Sequence, residues 1–100
     1  MDAEPGDNSF TLSARIVAKE VMRYSPAGVP ILTLELQHAS LQTEAKSARQ
    51  VEMILVAKAA GAIAEDLERT ALTTLCRFTG FIAPKSRNSK QLVFHITAYV

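Results

Sequence analysis

A group of cationic side chains without neighbouring acids is the feature of this chain best suited to chemistry. Lys85, Arg87 and Lys90 lie within the segment PKSRNSKQ, which contains no Asp or Glu. Apolar runs at 80–83 and 92–95 flank it, and its Pro, Asn and Ser residues are typical of turns. Ammonium and guanidinium groups on a loop attract anions. The segment therefore predicts a long β-hairpin with a cationic tip, which is either a binding surface or only a soluble turn.

Further cations occur in the N-terminal half. Lys46 and Arg49 have Glu44 and Glu52 as neighbours, so surface ion pairing is as good an interpretation as ligand binding for these two. Tyr24, beside a Pro-containing turn, is equally suited to bracing that turn and to stacking on a ligand ring. The complete candidate set for anion binding is Lys85, Arg87, Lys90, Arg23, Lys19, Arg15, Arg49 and Lys46.

The residue patterns of enzymes and metal sites are missing from the sequence. We find no nucleophile elbow, no paired carboxylates and no glycine-rich phosphate loop. His38 and His95 have no Cys or His at metal-ligand spacing, so each is expected to be structural or solvent-facing. The sequence therefore predicts a binding protein without catalysis, cofactor or metal.

Composition sets the broad class. The chain has 100 residues, 48% hydrophobic and 21% charged, which fits one globular domain. The net charge is +1, yet residues 70–100 contain four basic residues and no acid, so a cationic face is expected. Cys76, the single cysteine, is predicted to be a small core residue in a reducing, cytoplasmic setting, and neither a membrane span nor a signal peptide is expected.

Hydrophobic periodicity predicts five strands and one helix. The helix, at 58–71, places Ile63 and Leu67 on its buried stripe, and Gly61 marks where it is expected to begin. The segment 39–49 is polar and mixed in charge and is interpreted as a mobile loop. Residues 1–8 are predicted to be a flexible tail and 9–100 to be the folded domain. The predicted strands are 9–19, 29–38, 50–57, 72–83 and 92–100.

The order of these elements favours an all-β fold. A single short helix between the third and fourth of five strands is typical of the OB-fold, a partly open Greek-key barrel. Pro26 and Gly28 predict the turn of the first hairpin, and Gly80 in mid-strand predicts a bend or bulge. The loops after the first and fourth strands then lie where OB-folds bind ligands. A five-stranded meander with a packed helix is the competing architecture.

Two segments carry a specific family resemblance. The turn SPAGVP, followed by an amphipathic strand and then His38, Ser40 and Gln42, resembles the primosomal replication protein N (PriB) family. The segment GFIAPKSRNSKQLVFH resembles the same family. The resemblance covers about residues 9–100 and implies a single-stranded-DNA-binding OB-fold with Lys85, Arg87, Lys90 and Arg23 at the DNA.

The resemblance also implies a biological role. It implies a homodimer that binds single-stranded DNA in bacterial replication restart, stabilising the restart helicase (PriA) on DNA before the primosome loader protein (DnaT) acts. The family places aromatic rings near the second and third strands, whereas residues 45–51 here contain none. Binding is therefore expected to be mainly electrostatic. The alternative is a protein-interaction OB module that acts through its helicase partner and binds DNA weakly.

Overall fold

A computed structural model, which describes residues 4–100, shows six strands and one helix. The elements are β1 (Phe10–Lys19), β2 (Arg23–Tyr24), β3 (Pro30–Glu44), β4 (Ser47–Ala60), α1 (Ala62–Arg69), β5 (Leu75–Pro84) and β6 (Leu92–Tyr99). The five long strands follow the order β1-β5-β6-β4-β3, and pairing of β1 with β3 closes them into a barrel. The predicted all-β OB-fold is confirmed. The two-residue β2 shifts the strand count, so the helix lies between β4 and β5.

The barrel interior is filled by the alternating residues that the sequence indicates. Ile16 on β1, Leu34 on β3 and Phe78 on β5 are fully buried. Leu67 from α1 packs into the same core, and the helix contacts β3 and β4. Cys76 is buried there too, and burial raises the pKa of its thiol. The core is therefore built by the period-two pattern of the strands and one stripe of the helix.

The helix is shorter than the predicted span 58–71. Residues 58–60 continue β4 instead, because they pair with β3 and bury Ala59 in the core. Gly61 caps the helix at a φ of 84°, a value that favours glycine, and Thr70 ends the helix in extended conformation. The prediction that the helix begins near Gly61 is confirmed.

The prediction of a mobile loop at 39–49 is wrong. β3 and β4 continue as a paired ribbon through this segment and turn at Ala45 and Lys46, whose φ angles are 50° and 64°. Positive φ at both central residues defines the tight turn that matches the twist of a hairpin. We call residues 39–52 the arm. Most of its side chains are exposed, so the polar–apolar alternation by which a strand is recognised is lost there.

Gly80 lies where the pairing of β5 with β6 is irregular. The β5–β6 register shifts between Thr79 and Gly80, and a Cβ at Gly80 would lie 1.8 Å from the His95 carbonyl oxygen. The predicted bulge is confirmed, and its cause is close approach of the β6 backbone.

Residues 4–9 are in neither helix nor strand. Asn8 nevertheless donates a 2.8 Å hydrogen bond to the Ile82 carbonyl and accepts one of 3.0 Å from the Ile82 N–H. Of the tail predicted at 1–8, residues 1–3 lie outside the described part of the chain. Asn8 is thus attached to β5, and the boundary between tail and domain remains a prediction.

Candidate nucleic-acid interface

The loop between β1 and β3 carries Arg23 and Tyr24 on a rigid support. The two residues form β2 and pair with Ile31 and Pro30 at the start of β3. The turn beyond them is closed by a 2.8 Å hydrogen bond from the Gly28 N–H to the Ser25 carbonyl, and Gly28 has a φ of 85°. The predicted Pro–x–Gly turn is confirmed. It leaves both Arg23 and Tyr24 exposed at one end of the barrel.

The loop between β5 and β6, residues 85–91, carries the three cations of the acid-free segment. The Lys85 N–H donates a 2.8 Å hydrogen bond to the Gln91 carbonyl, which closes the base of the loop. The Ser89 N–H donates to the Ser86 carbonyl at 3.0 Å and forms a turn within it. Arg87 and Lys90 are both exposed, and Ser89 between them is half-buried. Lys85 is therefore held close to the barrel wall, while Arg87 lies nearer the tip.

A groove of about 660 Å³ joins these two loops across the outer face of the barrel. Among residues 4–100, Arg23, Lys58 and Lys85 supply its cations, Glu20 is its one acid, and Tyr24 is its aromatic ring. A second cavity of about 310 Å³ adjoins the groove, with Lys85 lining both. We call the two together the cationic groove. Its position between the two loops and over β3 and β4 is the ligand-binding face of OB-folds.

Lys58 is a groove residue that sequence reasoning missed. The apolar spacing of 58–71 assigned it to the helix, but it lies on β4 beside His95 of β6. Its carboxyl-side neighbour Ala59 faces the core, so Lys58 faces outward with Val56. The alternation Ile54–Val56–Lys58 is the sequence signal that could have found it.

His95 forms a parallel stack with Phe81 on the adjacent strand, with ring centroids 4.9 Å apart and an interplanar angle of 3°. Burial, and secondly the charge of Lys58, lower the pKa of His95 below its usual value. The neutral form of the ring is therefore favoured over the imidazolium. The expectation that His95 is structural or solvent-facing fits this half-buried position.

His38 has a structural environment. It is 9% exposed, and its Nδ1 lies 2.6 Å from the Ser13 carbonyl while its Nε2 lies 2.7 Å from the Ser40 hydroxyl. Both ring nitrogens are thereby bonded, and the ring links β1 to β3. Among residues 4–100, no group of three or more His, Cys, Asp or Glu residues is arranged to hold a metal ion.

Arg15 and Lys19 of the candidate set bind backbone carbonyls in the last turn of the helix and in the segment that follows it. Arg15 Nη1 donates a 2.9 Å hydrogen bond to the Thr73 carbonyl. Lys19 Nζ donates to the Glu68 carbonyl at 2.8 Å and also to the carbonyl of Thr70. The two Lys19 bonds satisfy carbonyls at the carboxyl end of α1, where cations are favourable. Neither residue lines the groove that holds Arg23 and Lys85.

Lys46 and Arg49 lie at the tip of the arm. Arg49 pairs with Glu44 at 3.3 Å, which is the surface ion pair that the sequence offered as an alternative. Along β4 the nearest groove residue is Ile54, eight positions from Lys46 and five from Arg49, which at the rise of a strand is about 26 Å and about 17 Å. The fold therefore joins Arg23 and Lys85 in one groove and leaves Lys46 and Arg49 apart from it.

Comparison with known proteins gives concordant matches. The model of a family described as "another single-strand binding protein family" matches residues 8–98. Replication restart protein PriB of Bordetella pertussis is 39% identical over 89 residues, which cover 89% of this chain and 83% of the relative. The PriB of Nitrosomonas europaea is 38% identical over 89 residues, covering 89% and 82%.

A solved structure agrees with these sequences. PriB from Ralstonia solanacearum superimposes with a TM-score of 0.86 at 43% identity, covering 95% of this chain and 97% of that one. The family match at residues 8–98 includes both loops of the cationic groove and the strands between them.

Proposed function

The chain belongs to the PriB family of replication restart proteins, one of the single-strand binding protein families, and from this we propose that it is a non-enzymatic single-stranded-DNA-binding accessory protein of bacterial replication restart. The observation that carries the proposal is the cationic groove, in which Arg23, Lys58 and Lys85 lie together across the OB-fold face. A polyanion is the ligand class that such a groove suits.

Phosphates of the strand would bind the cations, and Tyr24 would stack on a base. Tyr24 is 67% exposed beside Arg23, so its ring is accessible to a ligand. Because the arm has no aromatic residue, most of the affinity is assigned to charge. Arg87 and Lys90 extend the cationic surface along the loop. Lys46 and Arg49 would be reached only by a strand that continues along the arm.

Partner proteins belong to the same proposal. The chain would stabilise the restart helicase PriA on DNA in primosome assembly and act before the loader DnaT, in the cytoplasm. Among residues 4–100 the structure contains no helix with the length and apolarity needed to cross a membrane.

We also propose a homodimer, since Leu72 and Leu75 are more than half exposed in the single chain. Sedimentation at micromolar concentration is expected to show a dimer, and a monomer would contradict it.

A second candidate function rests on the ribbon formed by β3 and β4. Leu41 in the arm is 71% exposed, and Ile54, which follows the arm on β4 and lines the cationic groove, is 64% exposed. Solvent-facing apolar side chains on a ribbon suit contact with another protein. The alternative is therefore a protein-interaction module that works mainly through its helicase partner and binds DNA weakly.

The test is a fluorescence anisotropy titration of labelled single-stranded DNA over a range of salt concentrations. Wild type is compared with a variant carrying Lys85→Ala, Arg87→Ala and Lys90→Ala. If all three cations contact phosphates, the slope of log K against log salt becomes shallower by about 2, at about 0.7 per contact. Binding by the variant is expected to be weaker at every salt concentration.

The double substitution Lys46→Ala with Arg49→Ala is the matched control, because it removes arm cations outside the groove. It is expected to change the slope less on a short strand that only the groove can hold. Absence of wild-type binding at low salt would contradict DNA binding and favour the protein-interaction alternative. A triple variant that binds as wild type does would contradict the assignment of the site to loop 85–91.

A further inference from the structure

Phe81 and His95 form an aromatic pair on the outer wall of the barrel. They are register partners on β5 and β6, and their rings are stacked in parallel at 4.9 Å. Phe81 remains 39% exposed, although it is a large apolar side chain. The preceding residue on β5, Gly80, is buried, and successive residues of a strand face opposite sides of the sheet, so Phe81 faces outward.

A cavity of about 510 Å³ lies beside this pair. Ile31, Ile63, Phe81 and His95 give it a largely apolar lining, and Lys58 places an ammonium group at it. Lys58 and Ile31 also line the cationic groove, so the two spaces meet at these residues. The cavity beside the aromatic pair therefore adjoins the cationic groove.

We propose that the cavity beside Phe81 and His95 is a nucleobase-stacking subsite, which takes one base of a single strand whose phosphates lie along the cationic groove. The inference rests on the proposed DNA binding. It places an aromatic contact with the strand on β5 and β6, since the arm has no aromatic side chain. A flat base suits an apolar cavity bounded by aromatic rings, and the adjacent Lys58 ammonium suits that nucleotide's phosphate.

The lowered pKa of His95 agrees with this role, because removing a neutral imidazole from water under a stacked base costs less free energy than removing an imidazolium. Continuity with the groove favours a nucleobase over an apolar side chain of a partner protein, since the shared boundary residue Lys58 is cationic.

The experiment compares two labelled single strands of equal length, one of thymidines and one in which abasic sites replace the bases. Both strands present the same phosphates, and only the first can stack. Phe81→Leu is expected to weaken binding of the thymidine strand about five-fold or more, the lower range for one stacked base, and to leave the abasic strand unchanged. His95→Gln, which removes the other ring but keeps polarity, is expected to act in the same direction.

Phe10→Leu is the matched control. Phe10 is 49% exposed on β1 and shares the inward-facing register of Ala14, away from the cavity, so its loss should affect neither strand. Melting temperatures of all variants establish that they are folded, and His95→Gln carries the test if Phe81→Leu is unfolded.

The outcomes separate the two proposals. If wild type binds neither strand at low salt, DNA binding and the subsite both fail. If wild type binds but the ring variants bind the thymidine strand normally, only the subsite is overturned. Equal weakening on both strands also overturns it, because a lost stack cannot affect a strand without bases.

Discussion

Replacing Gly80 with alanine tests how closely β5 and β6 approach where the barrel closes. An alanine Cβ would lie 1.8 Å from the His95 carbonyl oxygen, 2.8 Å from its carbon and 3.1 Å from Ile96 Cα. All three are backbone atoms, so no side chain can rotate away. The strands must separate by more than about 1 Å to reach van der Waals contact.

The expected cost is at the upper end of that for overpacking a core, about 3 kcal/mol. For a domain of this size that loss lowers the melting temperature by about 12–24 °C. The assay is thermal unfolding followed by circular dichroism, with urea unfolding to obtain the free energy directly. The separation would also move His95 relative to Phe81, so binding of a thymidine strand should weaken in any Gly80→Ala protein that remains folded.

Two other glycines provide controls of different kinds. Gly28 has no atom within 4 Å of an added Cβ but has a φ of +85°, so Gly28→Ala should cost only backbone strain of about 1 kcal/mol. Gly6→Ala meets its nearest atom at 3.8 Å, an ordinary contact, and should be neutral. A Gly80→Ala melting temperature within about 4 °C of wild type, a shift worth less than about 1 kcal/mol, would refute the argument from close approach.

Two further predictions concern charged side chains. Lys19→Met should lower the melting temperature and leave affinity for a short single strand unchanged, because charge-assisted hydrogen bonds to the Glu68 and Thr70 carbonyls are worth about 1.5–3 kcal/mol. Arg87→Met, on the exposed loop, should weaken binding of the strand and leave the melting temperature unchanged. If both variants changed the same property, the separate roles of Lys19 and Arg87 would be contradicted. For His95 the folded pKa is lowered below 6.5, so the unfolded state binds more protons below that pH and stability falls as the pH drops through 6.5. Between about pH 7.5 and about pH 5, wild type should therefore lose more stability in urea unfolding than His95→Gln, and parallel pH profiles would contradict this.

Sequence reasoning was most successful where one side of a strand is buried. The alternation around Ile16, Leu34 and Phe78 predicted both the strands and the residues that fill the barrel. Gly28 was identified because the turn needs a positive φ, and Gly61 because glycine is unfavourable inside a helix and so marks its start; both have positive φ in the structure. These are local requirements, so neighbouring residues are enough to reveal them.

The arm and Lys58 were missed for related reasons. The arm continues β3 and β4 past the barrel, where no core selects apolar residues for one face, so its residues have the composition of a loop. Its turn at Ala45 and Lys46 also lacks the Asn or Gly that usually marks such turns. Lys58 was assigned to the helix because the alanines around it satisfy helical and strand periods equally well.

The family, the barrel and the cationic loop at 85–91 were therefore determined by the sequence alone, because periodicity, turn residues and the spacing of Lys85, Arg87 and Lys90 are local properties. Which cations share a groove was decided only by tertiary structure. Barrel closure brings Arg23, Lys58 and Lys85 from three distant parts of the chain to one face, and sends Lys19 to the helix carboxyl end instead. Sequence distance carries no information about such contacts, since they depend on strand register and on how the sheet closes.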